Sequence, residues 1–315
     1  PHRYIADPAL SIAQGPPLES EAALGTLTLS GFLLDVCARY PEREALVHSL
    51  PDGTEERWTY ADLCRQSQRV AAALIALGLG KGERVGLLMT NRAEFLAAVF
   101  GTALAGGIAC PLSTFSTPAE LEHLVAASAC SVLLIEPRVL KKDFAAMMLE
   151  LDPAIAQAAP GAIASAKFPF LQHIAMTDGA AALGPIEPWS AFLARGSAIS
   201  SAQVAARAET VTPADPGVLF FSSGSTAKPK GILSAHRGVT IQLWRMGPQQ
   251  GLAQGVRSWT ANGFFWSGNF SMIVGGTLAL GGSLVLQRTF QPEEALALME
   301  REKVDFLFAW PHQWE

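Results

Sequence analysis

No stretch of this sequence gathers lysine and arginine into a stripe. The 23 basic residues are scattered and are outnumbered by 28 acidic ones, for a net charge of −5. A protein that grips nucleic acid by its phosphates needs a basic face, so that class is set aside. Charge of either sign is scarce, at 16% of residues, whereas half of the residues are hydrophobic. This balance excludes a disordered chain. Cysteine is scarce as well. Cys37, Cys64, Cys110 and Cys130 form no CxxC pair, and no histidine stands near them at zinc-ligand spacing. They read as small buried residues of a reducing cytosol, not as a disulfide framework or a zinc module. The first twenty residues lack the apolar core of a secretory signal, so the protein is expected in the cytoplasm.

Long unbroken apolar runs are also missing. Residues 95–112, "FLAAVFGTALAGGIACPL", carry Gly106, Gly107 and Pro111 near their end and read as helix, turn and strand. Residues 264–287 are cut by Gly275–Gly276 and Gly281–Gly282. Both runs are expected to be buried core, and no transmembrane span is expected.

A chain of 315 residues suggests about two domains. Residues 1–20 read as an extended arm held by Pro8, Pro16 and Pro17. A helix closed by Pro41 and a short strand at Ala45–His48 follow. Thr59 and Asp62 have the spacing of a capping box, and Leu63, Val70, Leu74 and Leu77 then share one helix face as far as a stop at Gly78. Arg84–Met89 reads as an apolar strand, and Asn91 with Glu94 as the start of the next helix. In "STPAELEHLVAASAC" the device repeats, with Thr117 as N-cap, Pro118 at N1 and Glu120 at N3. "SVLLIEP" is again a buried strand. Helices alternating with apolar strands predict an α/β fold with mostly parallel sheets and flanking helices. Residues 141–205 are Ala-rich and show no clear pattern. Pro213 and Pro216 mark a boundary, which predicts one α/β subdomain over 21–210 and a second over 211–315. In the second, Val218–Phe221 forms a strand, Pro292 with Glu293 and Glu294 opens a helix, and "VDFLFAW" is a last strand.

The most unusual segment is "FFSSGSTAKPKGILSAHRG", residues 220–238. A turn needs no more than a Gly or a Pro, yet here hydroxyls and cations crowd around one. Ser222, Ser223, Ser225 and Thr226 offer hydroxyl donors. Gly224 lets backbone N–H groups point inward, Pro229 stiffens the approach, and Lys230 supplies a point charge suited to phosphate. The expected ligand is a polyphosphate. Counting as for a Walker A loop from Gly224 reaches Pro229 where Gly-Lys-Ser/Thr should begin, and there is no GxGxxG.

The segment resembles the phosphate-binding loop of the adenylate-forming family, which includes acyl- and aryl-CoA synthetases, luciferases and peptide-synthetase adenylation domains. That loop reads Ser/Thr-Ser/Gly-Gly-Ser/Thr-Thr-Gly-x-Pro-Lys-Gly. Ser222 to Gly231 match it except at Ala227, and His236 matches as well. The region from "GLGKGERVGLLMTN" to "SVLLIEP" is similar to the family's N-terminal part. "NGFFWSGN" resembles its aromatic motif beside the acyl pocket, with Trp266 in place of a His or aromatic and Gly263 where Pro is common.

The resemblance implies that Ser222, Ser223, Gly224, Ser225, Thr226, Lys230 and Gly231 hold ATP phosphates. Lys230 and Thr226 would act in catalysis, and Thr226 would lie near Mg2+. Phe265, Trp266 and Gly268 would line the acid pocket. It further implies that a carboxylate attacks the α-phosphorus, pyrophosphate leaves, and the acyl group of the adenylate passes to CoA. An apolar acid, fatty or aryl, is expected because the aromatic motif carries no second cation. Lys228 fills a variable position and reads as solvated; His236 reads as a structural cap. His2, His48, His123, His173 and His312 have no partners at metal spacing. The family's later motifs and its C-terminal lid domain are not in this sequence, so the chain is expected to be an inactive fragment of the enzyme. The alternatives are a stand-alone phosphate-binding domain without turnover and an amidase-signature hydrolase. For the latter, "SSGS" is a local likeness, but Phe221 stands where that family has Gly.

Overall fold

The computed structural model describes residues 5–7, 12–14, 17, 21, 24–50, 53–179, 181–222 and 228–313. Among the described residues there are sixteen strands, numbered in chain order. β1 (Ile5–Asp7) and β2 (Ile12–Gln14) pair antiparallel within the N-terminal arm.

A seven-stranded sheet runs in the order β11 (Ile186–Pro188), β10 (His173–Met176), β7 (Val132–Ile135), β5 (Arg84–Leu88), β6 (Ile108–Pro111), β12 (Pro216–Ser222) and β13 (Lys230–Ala235). Every pairing is parallel except the last, β12 with β13. A five-stranded sheet runs in the order β16 (Phe306–Phe308), β14 (Arg257–Thr260), β15 (Ser283–Leu286), β3 (Glu44–Ser49) and β4 (Glu55–Thr59). It is parallel apart from the β3–β4 hairpin. β8 (Arg138–Val139) and β9 (Lys142–Asp143) form a separate small hairpin. The α/β fold with mostly parallel sheets is as the apolar strands predict.

The expected division at residue 210 is not followed by the sheets. β3 and β4, from the first half of the chain, complete the sheet of β14–β16, and β12 and β13 complete the sheet of β5, β6, β7, β10 and β11. Non-local pairing such as Leu46 with Leu284 leaves no local signal, whereas the prolines that suggested a boundary are local.

The layers follow from the two-residue period of a strand. In β7, Val132 and Leu134 point into one apolar cluster and Leu133 and Ile135 into another. The first cluster is the central layer between the two sheets. It contains the helices Leu29–Arg39, Tyr60–Ala76, Ala93–Leu104 and His236–Gln249 and the helical run 267–279. The second covers the far side of the seven-stranded sheet with the helices Pro118–Ser128 and Phe144–Leu151. A third, around Val47, Trp259 and Val285, lies under the helix Pro292–Arg301. The result is five layers, helix and sheet in alternation.

Local signals place the helices. Thr59 with Asp62 and Thr117 with Glu120 both form complete capping boxes. Gly78 takes a φ of 84°, the left-handed turn that stops the second helix. Residues 95–112 are helix, turn and strand, and 264–287 are broken into helical turns and β15. Among the described residues, no helix is long and apolar enough to cross a membrane. The unpatterned stretch 141–205 contains β9 to β11, short helices, and the start of the capped helix Ser201–Glu209.

Candidate active site

Parallel strands end where their connecting loops gather, and both sheets bring their carboxyl ends to one region. β5 leads to Thr90–Arg92, β6 to Ser113–Ser116, β7 to Glu136 and β10 to Asp178. From the other sheet, β14 leads to Asn262–Trp266 and β15 to Arg288.

The hydroxyl-rich segment is the connection of the β12–β13 hairpin. Ser222 and Lys230 are paired in register at its base, and Phe221 pairs with Gly231. It therefore runs strand, loop, strand; the helix starts only at His236, unlike a Walker A loop. Ser223, Gly224, Ser225, Thr226 and Ala227 lie outside the described residues, and with them the expected contacts of Thr226. Lys228 and Lys230 are both exposed. On the neighbouring helix, His123 Nε2 is 2.8 Å from the Pro229 carbonyl oxygen and braces the loop's second limb.

Ser222 and Pro229 line a cavity of about 230 Å³ together with Phe265 and Trp266. The two segments that the sequence marked, 44 residues apart from Ser222 to Trp266, thus share one space. Trp266 is 38% exposed, so it is a wall residue and not a core aromatic. Gly268 sits in the short helix Ser267–Asn269, is exposed and lines neither this cavity nor the next. Its missing side chain relieves no crowding, because a Cβ there would meet nothing within 4 Å.

A second, mostly apolar cavity of about 610 Å³ lies alongside, with Gly263, Phe290 and Leu140 in its wall. Phe115 and Phe265 line both cavities. Their rings meet edge to face, with centroids 5.6 Å apart and planes at 83°. Phe115 was not marked by any sequence pattern; it follows an apolar strand and looks like any other core aromatic.

The turn that carries Phe265 is held from the other sheet. Asn91 accepts the Phe264 N–H at 2.8 Å and donates to the Asn262 carbonyl at 2.8 Å. Asn269 donates to the same carbonyl at 2.8 Å, and Thr260 donates to the Asn269 Oδ1 at 2.9 Å. This corrects the reading of Asn91 as a helix start. The helix begins at Ala93 behind Arg92, without a side-chain cap, because the Asn91 amide is used across the sheets.

Beside this turn is an ionic network that periodicity could not disclose, with Arg92 and Glu136 buried and Asp178 at its exposed rim. Arg92 forms paired bonds to Asp178 at 2.8 and 2.9 Å and to Glu94 at 2.8 and 3.0 Å. Arg288, just beyond the end of β15, donates to Glu136 at 2.9 Å through Nε and reaches Asp178 at 3.2 Å. Thr90 donates to the second Glu136 oxygen through both N–H and hydroxyl. Burial alone would raise the Asp178 pKa, but the two arginines reverse it and hold the carboxyl below its usual range. His48, fully buried nearby, is driven down to about 4 by burial.

His236 makes no side-chain cap on the helix that it opens, so the expected capping role is not what its ring does. Its Nδ1 accepts the Leu29 N–H at 3.2 Å, its ring is fully buried, and its pKa falls to about 4 because of that burial.

Among the described residues, no three His, Cys, Asp or Glu side chains are grouped to hold a metal ion. Mg2+ that keeps its waters and rides on a triphosphate needs no such cage, only one or two protein oxygens. Thr226, the donor that the family resemblance implies, is among the residues not described.

These features define a class: an α/β protein whose strand ends surround an apolar cavity, with Ser222 and Pro229 at the base of the hydroxyl- and lysine-rich connection in its wall. The chain belongs to the family of AMP-binding enzymes, whose family model matches residues 33–315. It is 30% identical to the acyl-CoA ligase SID4 of Ajellomyces capsulatus over 231 residues, 73% of this chain and 36% of that protein. It is 27% identical to the mitochondrial medium-chain acyl-CoA ligase ACSF2 of Danio rerio over 301 residues, 93% and 48% of the two chains. The anthranilate CoA ligase AuaEII, solved with anthranoyl-AMP, shares the fold with a TM-score of 0.72 at 21% identity, covering 89% of this chain and 49% of that one. The chain thus spans about half the length, or less, of these three relatives.

Proposed function

We propose that the protein carrying this chain activates an apolar carboxylic acid with ATP and passes the acyl group to CoA. The observation that supports this most is the shared cavity: the base of the phosphate-type loop and the aromatic segment face each other, and the large apolar cavity adjoins them. Relatives named as acyl-CoA ligases point the same way.

In this reading the acid's tail occupies the larger cavity and its carboxylate projects past Phe265 into the smaller one. Two anions must approach each other there, so the first task is neutralisation. Lys230 and the hydroxyls of Ser222, Ser225 and Thr226 take the β- and γ-phosphates, with backbone N–H groups of Ser223, Gly224 and Gly231. Mg2+ bound to the triphosphate would offset further charge, with Thr226 as its protein contact. The carboxylate oxygen attacks the α-phosphorus, the bond to the pyrophosphate oxygen breaks, and pyrophosphate leaves with its charge held by Lys230. The apolar wall keeps water from the mixed anhydride until the CoA thiol, giving up its proton, attacks the acyl carbon; the bond to the phosphate oxygen breaks and AMP leaves. Catalysis is then mainly positioning and charge balance. The four cysteines are free, as in a reducing compartment, and the cytoplasm is the proposed place of action.

The deciding experiment is acid-dependent exchange of labelled pyrophosphate into ATP, run on the whole gene product with a panel of monocarboxylates. Exchange with fatty or aryl acids supports the reading. Phosphate binding with no exchange for any acid would favour a binding domain without turnover.

A further inference from the structure

Phe115 is a large aromatic with 66% of its surface exposed, which apolar burial does not explain. Its backbone is nevertheless fixed on both sides. The Lys142 ammonium, from β9, donates to the Thr114 carbonyl at 3.3 Å and to the Ser116 carbonyl at 2.9 Å. The Phe115 N–H donates to Ser113 Oγ at 3.1 Å. Thr114 and Ser116 are buried, so the loop is anchored at both shoulders and presents one ring outward. That ring stands edge to face against Phe265, which is itself buried, and the pair lines both cavities.

We propose that Phe115 and Phe265 form the neck of the acid site and that Phe115 sets which acids pass it. This rests on the proposed acid-activating function. An acid whose tail lies in the larger cavity has its carboxyl carbon and the adjoining carbon between the two rings when the carboxylate reaches the loop side. Neither ring withdraws freely: the Phe265 turn is clamped by Asn91 and Asn269, and the Phe115 loop is anchored by Lys142, so Phe115 forms the exposed wall of the neck. Bulk on the carbon next to the carboxyl group therefore meets Phe115. The neck selects acids unsubstituted at that carbon and is indifferent to length beyond it. Lys142 also lines the larger cavity, but its ammonium is engaged by the two carbonyls that hold the loop, and it acts as a positioning residue.

The test compares kcat/KM for octanoate and 2,2-dimethyloctanoate in pyrophosphate exchange by the whole gene product. Two methyl groups against a tight wall are worth about tenfold or more in discrimination. Wild type should favour octanoate by that factor, Phe115→Ala should shift the ratio at least about tenfold toward the dimethyl acid, and Phe115→Trp should sharpen the preference. Lys142→Met should relax the ratio in the same direction as Phe115→Ala, with a smaller effect. Phe115 is exposed and its loss leaves no core cavity; equal thermal midpoints would show that the variants are folded. If both acids are exchanged and the ratio is the same in wild type, Phe115→Ala and Phe115→Trp, the neck is overturned and the acid-activating reading stands. If no carboxylic acid supports exchange in wild type, that reading falls and the neck falls with it.

Discussion

Asn91, at the end of β5, and Phe264, beyond the end of β14, are joined by a buried bond of 2.8 Å from the Phe264 N–H to Asn91 Oδ1. One amide thereby ties the two sheets together at the place where the aromatic wall of the site begins. Replacing it with Ala removes the acceptor and strands the Phe264 N–H, whereas the Asn262 carbonyl keeps its bond from Asn269. One stranded buried donor costs about 2 kcal/mol. Urea unfolding of Asn91→Ala should show that loss, together with weaker acid binding. A change within about 0.5 kcal/mol, the range of an ordinary surface substitution, would contradict the clamp.

Much of the local structure was legible because its causes are local. A capping box needs two residues three apart, so Thr59 with Asp62 and Thr117 with Glu120 could be read directly. The hydroxyls and lysines of the loop are likewise contiguous. What joins distant parts of the chain was not legible. The order of strands across residue 210, the reach of Arg288 to Glu136, and the meeting of Phe115 with Phe265 all bring together residues far apart in sequence. Asn91 illustrates the difficulty. Its type and place fit an N-cap, and only the fold shows its amide engaged elsewhere.

Lys230 and Lys228 are both exposed, but only Lys230 sits in β13, in register with Ser222 at the base of the loop. If it neutralises the leaving pyrophosphate, Lys230→Ala removes one charge-assisted contact, on the order of 2–3 kcal/mol or about a hundredfold in exchange rate. Lys228→Ala should stay within about threefold. Equal losses in the two variants would rule out the assignment.

Arg288 carries the five-stranded sheet's side of the ionic network, and Glu136, almost wholly buried, carries the other. Removing one partner of a buried pair leaves a charge without its counter-ion. Arg288→Met should therefore cost about 3 kcal/mol in guanidinium unfolding. Arg92 stays 3.6 Å from Glu136 and limits the damage. The double variant Arg288→Met/Glu136→Met should recover more than about 1 kcal/mol of the summed single losses. Strict additivity would mean that the contact contributes nothing to joining the sheets.

His236 gives the fold a weakness toward acid. Its buried Nδ1 accepts the Leu29 N–H, so the ring must stay neutral; protonation would set two N–H donors against each other. Burial lowers its pKa from 6.5 to about 4, Lys81 adds to the effect, and Asp215 opposes it. In the unfolded chain the same ring takes a proton near pH 6.5. Between those values the unfolded state binds more protons, so stability rises with pH there. It is whole above about pH 6.5 and is lost as the pH falls toward 4, by roughly 3 kcal/mol at the limit. His48, also driven down to about 4 by burial, contributes in the same direction. His236→Asn keeps an acceptor near the Nδ1 position and removes the titration. Urea unfolding between pH 7 and 5, above the main carboxylate range, should lose stability less steeply in His236→Asn than in wild type, and less steeply still when His48 is also replaced. If wild type and His236→Asn lose stability in parallel over that range, His236 titrates normally in the folded protein and the buried bond to Leu29 does not hold it neutral.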